Sequence, residues 1–375
     1  MSFDLFTSKE SALIGVDVGA IAIKMVEINR TKTGFRLENF SIEPLPFGVI
    51  SDGSVTKPDD LSEAIRRCHS KMASKTKSVA LSLPMECVFV KRLLVDMGLS
   101  EGEMESEVAR QLSALMSIDP EEINIDFQSM PSSSLSAAVE ESGSLESSSP
   151  KAPDARAQQD VIAMAAKREK IDERLHPLEN AGLKAVVIDS EILGMHTALD
   201  ELLTREGSLI EDKNHVLINV SEHTMALVVL RNGEAIYTRD TAFGFGQLLS
   251  DIVMRYGVSE ASAIQIIDGE AQAPEGFDAL RTNHVQSAVQ EIQRSLQLFM
   301  TSTSHVGVEA IHLHGEGALL GGLDVGVAQA LGVACNVFDP FKGIEISSEA
   351  GSKGLARHAS SLVVACGLAF RRFEL

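Results

Sequence analysis

The sequence predicts an α/β protein with two lobes built on the same plan. Its 375 residues exceed the range of a typical single domain. Two stretches, residues 13–42 and 216–239, show the same order of three apolar strands joined by two short turns. After each stretch, strands alternate with helical segments, which is the pattern of α/β folds.

In the first half, the opening strands are predicted at 13–18, 21–28 and 35–42 because apolar residues there run between turn residues. A helix is predicted from Lys57, since Pro58 suits a first turn, and Pro84 closes the strand that follows it. The further predicted elements are the strands 78–83, 88–95, 123–128, 160–165 and 183–188 and the helices 57–73, 101–116, 167–181 and 191–203.

A segment crowded with serine interrupts this pattern. Between residues 129 and 150 it has acidic residues but no basic ones. Such a chain buries too little surface to offset its ordering entropy, so we expect a mobile surface loop over residues 129–158.

The second half repeats the opening plan, with a hairpin turn at Asn232-Gly233. Helical spacing of apolar residues predicts a packed helix at the C-terminus. The predicted elements are the strands 216–220, 224–230, 235–239 and 310–314 and the helices 245–255, 259–267, 287–302 and 360–371.

Composition and charge exclude several classes of protein. Hydrophobic residues make up 44% and charged residues 23%, which is typical of a globular chain. The net charge of −20 argues against nucleic-acid partners and anionic membrane surfaces, and the absence of Trp argues against stacking on bases. No signal peptide and no apolar run of about 20 residues is found, so a soluble, unexported protein is expected. Four well-separated cysteines are expected to be reduced: Cys68, Cys87, Cys335 and Cys366.

The turn after Asp17 is the first candidate site. Gly19 lets backbone N–H groups approach a phosphate without a Cβ in the way. Asp17 is costly to bury without a charged partner, and Lys24 on the return strand is a candidate for that role. A hairpin with a satisfied aspartate explains the same residues.

A second candidate is the turn Gly315-Glu316-Gly317, which follows a buried strand and opens a helix. Neither G-x-G-x-x-G nor a P-loop motif is present, so Rossmann and P-loop sites are not predicted. His312 and His314 have a spacing compatible with a metal, but further ligands are lacking nearby. We therefore expect satisfied structural histidines and no metal site.

The order of these motifs resembles the two phosphate loops and the adenosine loop of the actin-like ATPase superfamily. Within it, the sequence resembles the FtsA-like PilM family of type IV pilus assembly proteins. The segments that carry the resemblance span nearly the whole chain outside the serine-rich insert: IGVDVGAIAIKMVEI, IEPLPFGVISDGSV, INIDFQ, YTRDTAFGFGQL, RSLQLFMTSTS and ACGLAFR.

This resemblance implies an actin-like fold, a duplicated RNase H-like α/β fold with two lobes and an FtsA-type inserted subdomain. It places the first lobe in residues 9–86, 182–210 and 357–375, the inserted subdomain in 87–181, and the second lobe in 211–356. It also implies binding of ATP, with or without Mg²⁺, at a defined set of residues: Asp17, Gly19, Ala20, Lys24, Asn219, Ser221, Arg294, Gly315, Glu316 and Gly317.

Several of these residues depart from the family pattern. Ala20 stands where the family usually has Ser. Asn219-Val220-Ser221 stands where the family usually has Asp-x-Gly. His314 and Glu316 stand where glycines are expected. The changes at Ala20 and Asn219 remove a hydroxyl and a carboxylate that would position Mg²⁺. We therefore expect at most a weak ATPase, and its catalytic residues are unknown.

The resemblance further implies a cytoplasmic platform at the inner membrane, where it binds the cytoplasmic N-terminus of a PilN-like membrane protein and contacts the assembly motor ATPases. The peptide is expected in a groove between the first lobe and the inserted subdomain. Strand 123–128 is a candidate wall, since its alternation sends Asn124, Asp126 and Gln128 to the face opposite its apolar residues. Asn124 and Asp126 would then contact the peptide. An ordinary half-buried strand explains the same pattern.

Two alternatives belong to other functional classes. An actin-like small-molecule kinase needs a carboxylate base and an intact Mg²⁺ site, and Asn219 argues against the latter. An FtsA-like filament former in division predicts a C-terminal membrane helix after a linker. The sequence ends at Leu375, directly after the apolar C-terminal segment, which argues against it.

Overall fold

The structure is a computed structural model that describes residues 13–373 apart from 52, 130–157, 209–211, 268, 270 and 304–306. It divides into two compact units. The larger unit contains the chain up to Leu83 and from Pro177 onward, and the smaller unit is Pro84–His176. The loop expected at 129–158 lies outside the described residues except for its two ends, as do residues 9–12 of the expected first lobe.

The strands, in chain order, are β1 (Ile14–Val18), β2 (Ala22–Arg30), β3 (Phe35–Pro44), β4 (Ile50–Ser51), β5 (Ser54–Val55), β6 (Ser78–Leu83), β7 (Val88–Asp96), β8 (Ile123–Ser129), β9 (Gln158–Lys167), β10 (Lys184–Ser190), β11 (Asn214–Val220), β12 (Met225–Arg231), β13 (Glu234–Thr241), β14 (Ala310–His314), β15 (Ala334–Val337) and β16 (Glu345–Ile346).

The helices are α1 (Pro58–Met72), α2 (Glu101–Met116), α3 (Arg168–Asn180), α4 (Glu191–Glu206), α5 (Gly246–Tyr256), α6 (Glu260–Ile267), α7 (Phe277–Ser302), α8 (Leu323–Leu331), α9 (Ser348–Ser352), α10 (Leu355–His358) and α11 (Val363–Phe370).

Two sheets of the larger unit confirm the duplication predicted from sequence. The first sheet has the order β10-β6-β1-β2-β3-β16, and the second has the order β13-β12-β11-β14-β15. In each sheet the opening meander is antiparallel, and its first strand also pairs in parallel with a later strand, β1 with β6 and β11 with β14. The carboxyl ends of these parallel strands are where open α/β sheets bind ligands.

The first sheet is buried on both faces. Helix α1 contributes Leu61, Ile65 and Cys68 to the core on one face. On the other face lies α11, all of whose residues are buried, as expected for the packed C-terminal helix. The helix itself is shorter than predicted, because 3₁₀ turns flank it at Ala359–Leu362 and Arg371–Phe373.

Helices α7 and α8 pack on the second sheet. Helix α7 begins at Phe277, whereas the sequence predicted a start at Ser287. Most of these first ten residues are polar, but Phe277, Leu280 and Val285 lie at helical spacing and pack into a core with α5 and α6. The predicted helix was too short because this apolar stripe is narrow and interrupted by polar residues.

The smaller unit is a three-stranded antiparallel sheet, β7-β9-β8, with α2 packed on one face. The side chain of Glu103 accepts hydrogen bonds from the backbone and hydroxyl of Ser100, a capping box that begins α2. The predicted alternation of β8 is present. Ile123, Ile125 and Phe127 pack into the core with α2, and the residues between them are exposed.

Candidate functional site

The site begins with a cross-strand pair at the end of β1. Asp17 and Lys24 are register partners in the β1–β2 hairpin, and the two side chains form an ion pair with 3.5 Å between Lys24 Nζ and Asp17 Oδ2. Ser82, at the end of β6, donates to Asp17 Oδ1 at 3.0 Å. Asp17 is only 8% exposed and Lys24 only 6%, so each charge depends on the other for compensation.

The second sheet supplies another partner for Lys24. Glu316, in the turn after β14, places Oε1 2.5 Å from Lys24 Nζ. Burial lowers the pKa of Lys24, but the negative charges of Glu316 and Asp17 outweigh burial and hold this pKa above its usual value. Lys24 therefore remains charged and joins the two sheets.

The turn that carries Glu316 packs closely against the end of β11. Gly315 has φ +86°, and a Cβ there would lie 2.3 Å from Asn219 Oδ1, so only glycine fits. A Cβ on Gly317 would lie 2.5 Å from a methyl carbon of Val220. This close approach brings Asn219, Gly315, Glu316 and Gly317 together with Asp17 and Lys24.

Two of the backbone amides expected to meet a phosphate are already bonded inside the protein. Gly19 N donates to the carbonyl of Ala22 at 3.1 Å, which closes the hairpin turn that contains Ala20. Gly315 N donates to the carbonyl of Ser360 at 3.0 Å. In this arrangement both amides donate to carbonyl groups of the protein's own backbone.

The turn after β11 is tightly bonded. Ser221 Oγ donates to the carbonyl of Thr224 at 2.8 Å, and Ser221 N donates to the same oxygen at 3.0 Å. The segment FGFG packs over this turn, with Phe245 N donating to the Ser221 carbonyl and Gly246 N to that of Glu222. The hydroxyl of Ser221 is therefore committed within its own turn.

Glu222 is a site residue that the sequence analysis missed. It is buried, and burial raises its pKa. The charges of Glu260 and Glu316 add to the rise, and His223 opposes it. An acidic residue in a turn is ordinarily solvated, so no sequence pattern indicated that Glu222 is buried near Glu316.

The two histidines of β14 are buried, as expected of structural residues. Burial lowers the pKa of His312 to about 4, and burial together with the Lys24 charge lowers the pKa of His314 to about 3. His312 stacks on His215, with ring centroids 5.8 Å apart. Both histidines of β14 are less satisfied than expected, since Nε2 of His314 and both ring nitrogens of His312 are buried without a hydrogen-bond partner among the described residues. Those residues also contain no cluster of His, Cys, Asp and Glu that could hold a metal ion.

Arg294, also expected at the site, lies on an exposed part of α7, where it pairs with Glu291 at 2.7 Å on its own helix. The four cysteines are free thiols. Burial raises the pKa of Cys68 and Cys335 to about 12, which keeps both protonated.

The described charges at the candidate phosphate site are mostly negative. Lys24 pairs with Asp17 and Glu316, Glu222 lies close enough to Glu316 for their charges to interact, and the amides of Gly19 and Gly315 are already bonded. An incoming phosphate would therefore meet negative charge beside Lys24.

The duplicated sheets, in which β1 corresponds to β11 and β6 to β14, define an actin-like fold. A sequence model of the family described as type IV pilus assembly protein PilM matches residues 15–373. The chain belongs to this family, so it is a type IV pilus assembly component.

Two solved structures show the same fold. A structure titled "PilM-PilN type IV pilus biogenesis complex" has 22% identity and a TM-score of 0.78, with 97% of this chain and 99% of that chain covered. Ethanolamine utilization protein EutJ from Carboxydothermus hydrogenoformans has 12% identity and a TM-score of 0.52, with 96% and 89% covered. Within the described residues, no helix is long and apolar enough to cross a membrane.

Proposed function

We propose that this chain is the cytoplasmic platform of a type IV pilus inner-membrane assembly complex, and that it binds the cytoplasmic N-terminal peptide of a PilN-like membrane protein. Family membership supports the first part. The second part is supported by the similar structure, which by its title is a complex of PilM with PilN. Contact with the assembly motors stays a prediction.

The observation that carries the proposal is the face of the smaller unit's sheet opposite α2, where apolar side chains are exposed among the described residues. Helix α2 packs on one face of the sheet β7-β9-β8, and the strand registers place the alternate residues together on the other. Val90, Met164 and Asp126 form one row across the three strands, and Arg92, Ile162 and Gln128 form the next.

This face combines apolar surface with a polar edge. Val90 is 45% exposed and Leu94 is 51% exposed, although both are strand residues. On β8, Asn124 and Asp126 are exposed beside them. An extended peptide with apolar anchors and a basic or amide side chain would match this surface in both shape and charge.

Calorimetry with a synthetic peptide of the partner's cytoplasmic N-terminus tests the proposal. We expect wild type to bind it and the variants D126A and N124A to bind more weakly, with unchanged melting temperatures. The control is E105A, which removes an exposed acid from α2, the helix on the other face of the sheet. No binding by wild type at high micromolar peptide, or an equal loss in E105A, would contradict the proposal.

ATP binding by this chain also stays a prediction, and the charges around Lys24 predict that it is weak with little turnover. Asn219 cannot supply the carboxylate that would position Mg²⁺, and the Ser221 hydroxyl is used in its own turn. Steady-state hydrolysis near the median of ordinary enzymes, about 10 s⁻¹, would contradict this prediction.

A further inference from the structure

Lys24 is the one cation of the candidate phosphate site within the described residues, and its position is fixed from both sides. Asp17 holds it from the same hairpin, and Glu316 holds it from the second sheet at 2.5 Å. The side chain of Glu316 is 24% exposed, while that of Lys24 is 8% exposed. The contact is therefore a charge-assisted hydrogen bond at the edge of a buried site and not a surface ion pair.

The turn is built so that Glu316 reaches Lys24. Gly315 takes the left-handed conformation that the turn requires, and its amide is tied to the carbonyl of Ser360. Glu316 itself is not among the residues with positive φ, so a side chain at this position costs no backbone strain. A carboxylate placed there lies where an anionic ligand of Lys24 would have to bind.

We propose that Glu316 is the resident anion of Lys24 and decides what this site binds, because a phosphate group can reach the lysine only by displacing the Glu316 carboxylate. The inference concerns the nucleotide site and is independent of the peptide-binding face. Glu316 supplies a negative charge from the second sheet to Lys24 of the first. The weak nucleotide binding expected of this chain is then caused by one side chain, that of Glu316.

Glu206 provides a matched control. Its Oε1 lies 2.5 Å from Lys342 Nζ, and its side chain is 29% exposed, close to the value for Glu316. Lys342, however, is 68% exposed and lies in solvent, where an ion pair contributes little. The variants E316Q and E206Q thus remove the same charge from ion pairs of the same length.

Titration with a fluorescent ATP analogue in the presence of Mg²⁺, with unlabelled ATP as competitor, measures the affinity of wild type, E316Q and E206Q. We expect E316Q to bind ATP at least tenfold more tightly than wild type, and E206Q to bind like wild type. The second measurement is the melting temperature with and without ATP. E316Q should melt several degrees below wild type without ATP and gain more from saturating ATP.

An affinity of E316Q equal to or below that of wild type would overturn the proposal, and so would low-micromolar binding by wild type or an equal gain in E206Q. Absence of ATP binding by all three proteins would overturn it as well. None of these outcomes bears on peptide binding, which the calorimetry with D126A tests separately.

Discussion

Acidification should destabilise the protein through His314. This residue ends β14 and is 2% exposed, and its pKa is lowered to about 3 by burial and by the nearby charge of Lys24. In the unfolded chain the pKa returns to 6.5. Below pH 6.5 the unfolded state therefore binds a proton that the folded state does not. Stability is present above pH 6.5 and is lost as the pH falls toward 3.

The size of the effect follows from this shift. At pH 7 the unfolded histidine is mostly neutral, so its contribution to the pH dependence is small. Each unit of pH below 6.5 then costs about 1.4 kcal/mol of unfolding free energy until the folded pKa is approached. Lowering the pH from 7 to 5 should thus remove about 2 kcal/mol through His314 alone.

Urea unfolding of wild type and H314Q at pH 7 and pH 5 isolates this contribution. The pKa values of His215, His284 and His312 are also lowered by burial, but these residues are present in both proteins and cancel in the comparison. Wild type should lose about 2 kcal/mol more than H314Q between the two pH values. Equal losses, within about 0.5 kcal/mol, would refute the assignment of the lowered pKa to His314.

Three further predictions concern stability. K24M should lower the free energy of unfolding in urea by about 3–5 kcal/mol, because it leaves the carboxylates of Asp17 and Glu316 without their buried cation. A loss under about 1 kcal/mol would contradict the buried ion pair. G367A should lower the free energy of unfolding by about 1–3 kcal/mol or more in the same measurement. A Cβ there would lie 1.8 Å from the Gly194 carbonyl oxygen, so an unchanged stability would contradict this close contact. R110A should leave the free energy of unfolding close to that of wild type. Arg110 lowers the pKa of Glu107 to about 2, but the pair is exposed on α2 and solvent screens it, so a clear loss of stability would show that the pair is structural.

Local patterns predicted most of the fold. Strand β12 is an almost continuous apolar run because its residues are buried on both faces of the sheet, and the capping box of α2 is readable as Ser100 followed by Glu103. The exceptions depend on tertiary packing. The two-residue strand β16 exists because its residues pair with Arg36 and Leu37 of β3, far away in sequence. No local signal marks such an edge.

The candidate site likewise contains one contact that the sequence predicts and one that depends on tertiary packing. The partnership of Asp17 and Lys24 was predictable because a two-stranded hairpin fixes which residues face each other. The partnership of Lys24 and Glu316 was not, because it depends on how the second sheet packs against the first. The sequence marked Glu316 only as a departure from an expected glycine, which suggests a loss of backbone freedom. In the structure the left-handed position is kept by Gly315, so the change at residue 316 adds a charge and leaves the turn intact. A departure from a glycine motif can thus alter the electrostatics of a site while its backbone geometry is preserved, and E316Q separates the two effects because it removes the charge and keeps the side chain.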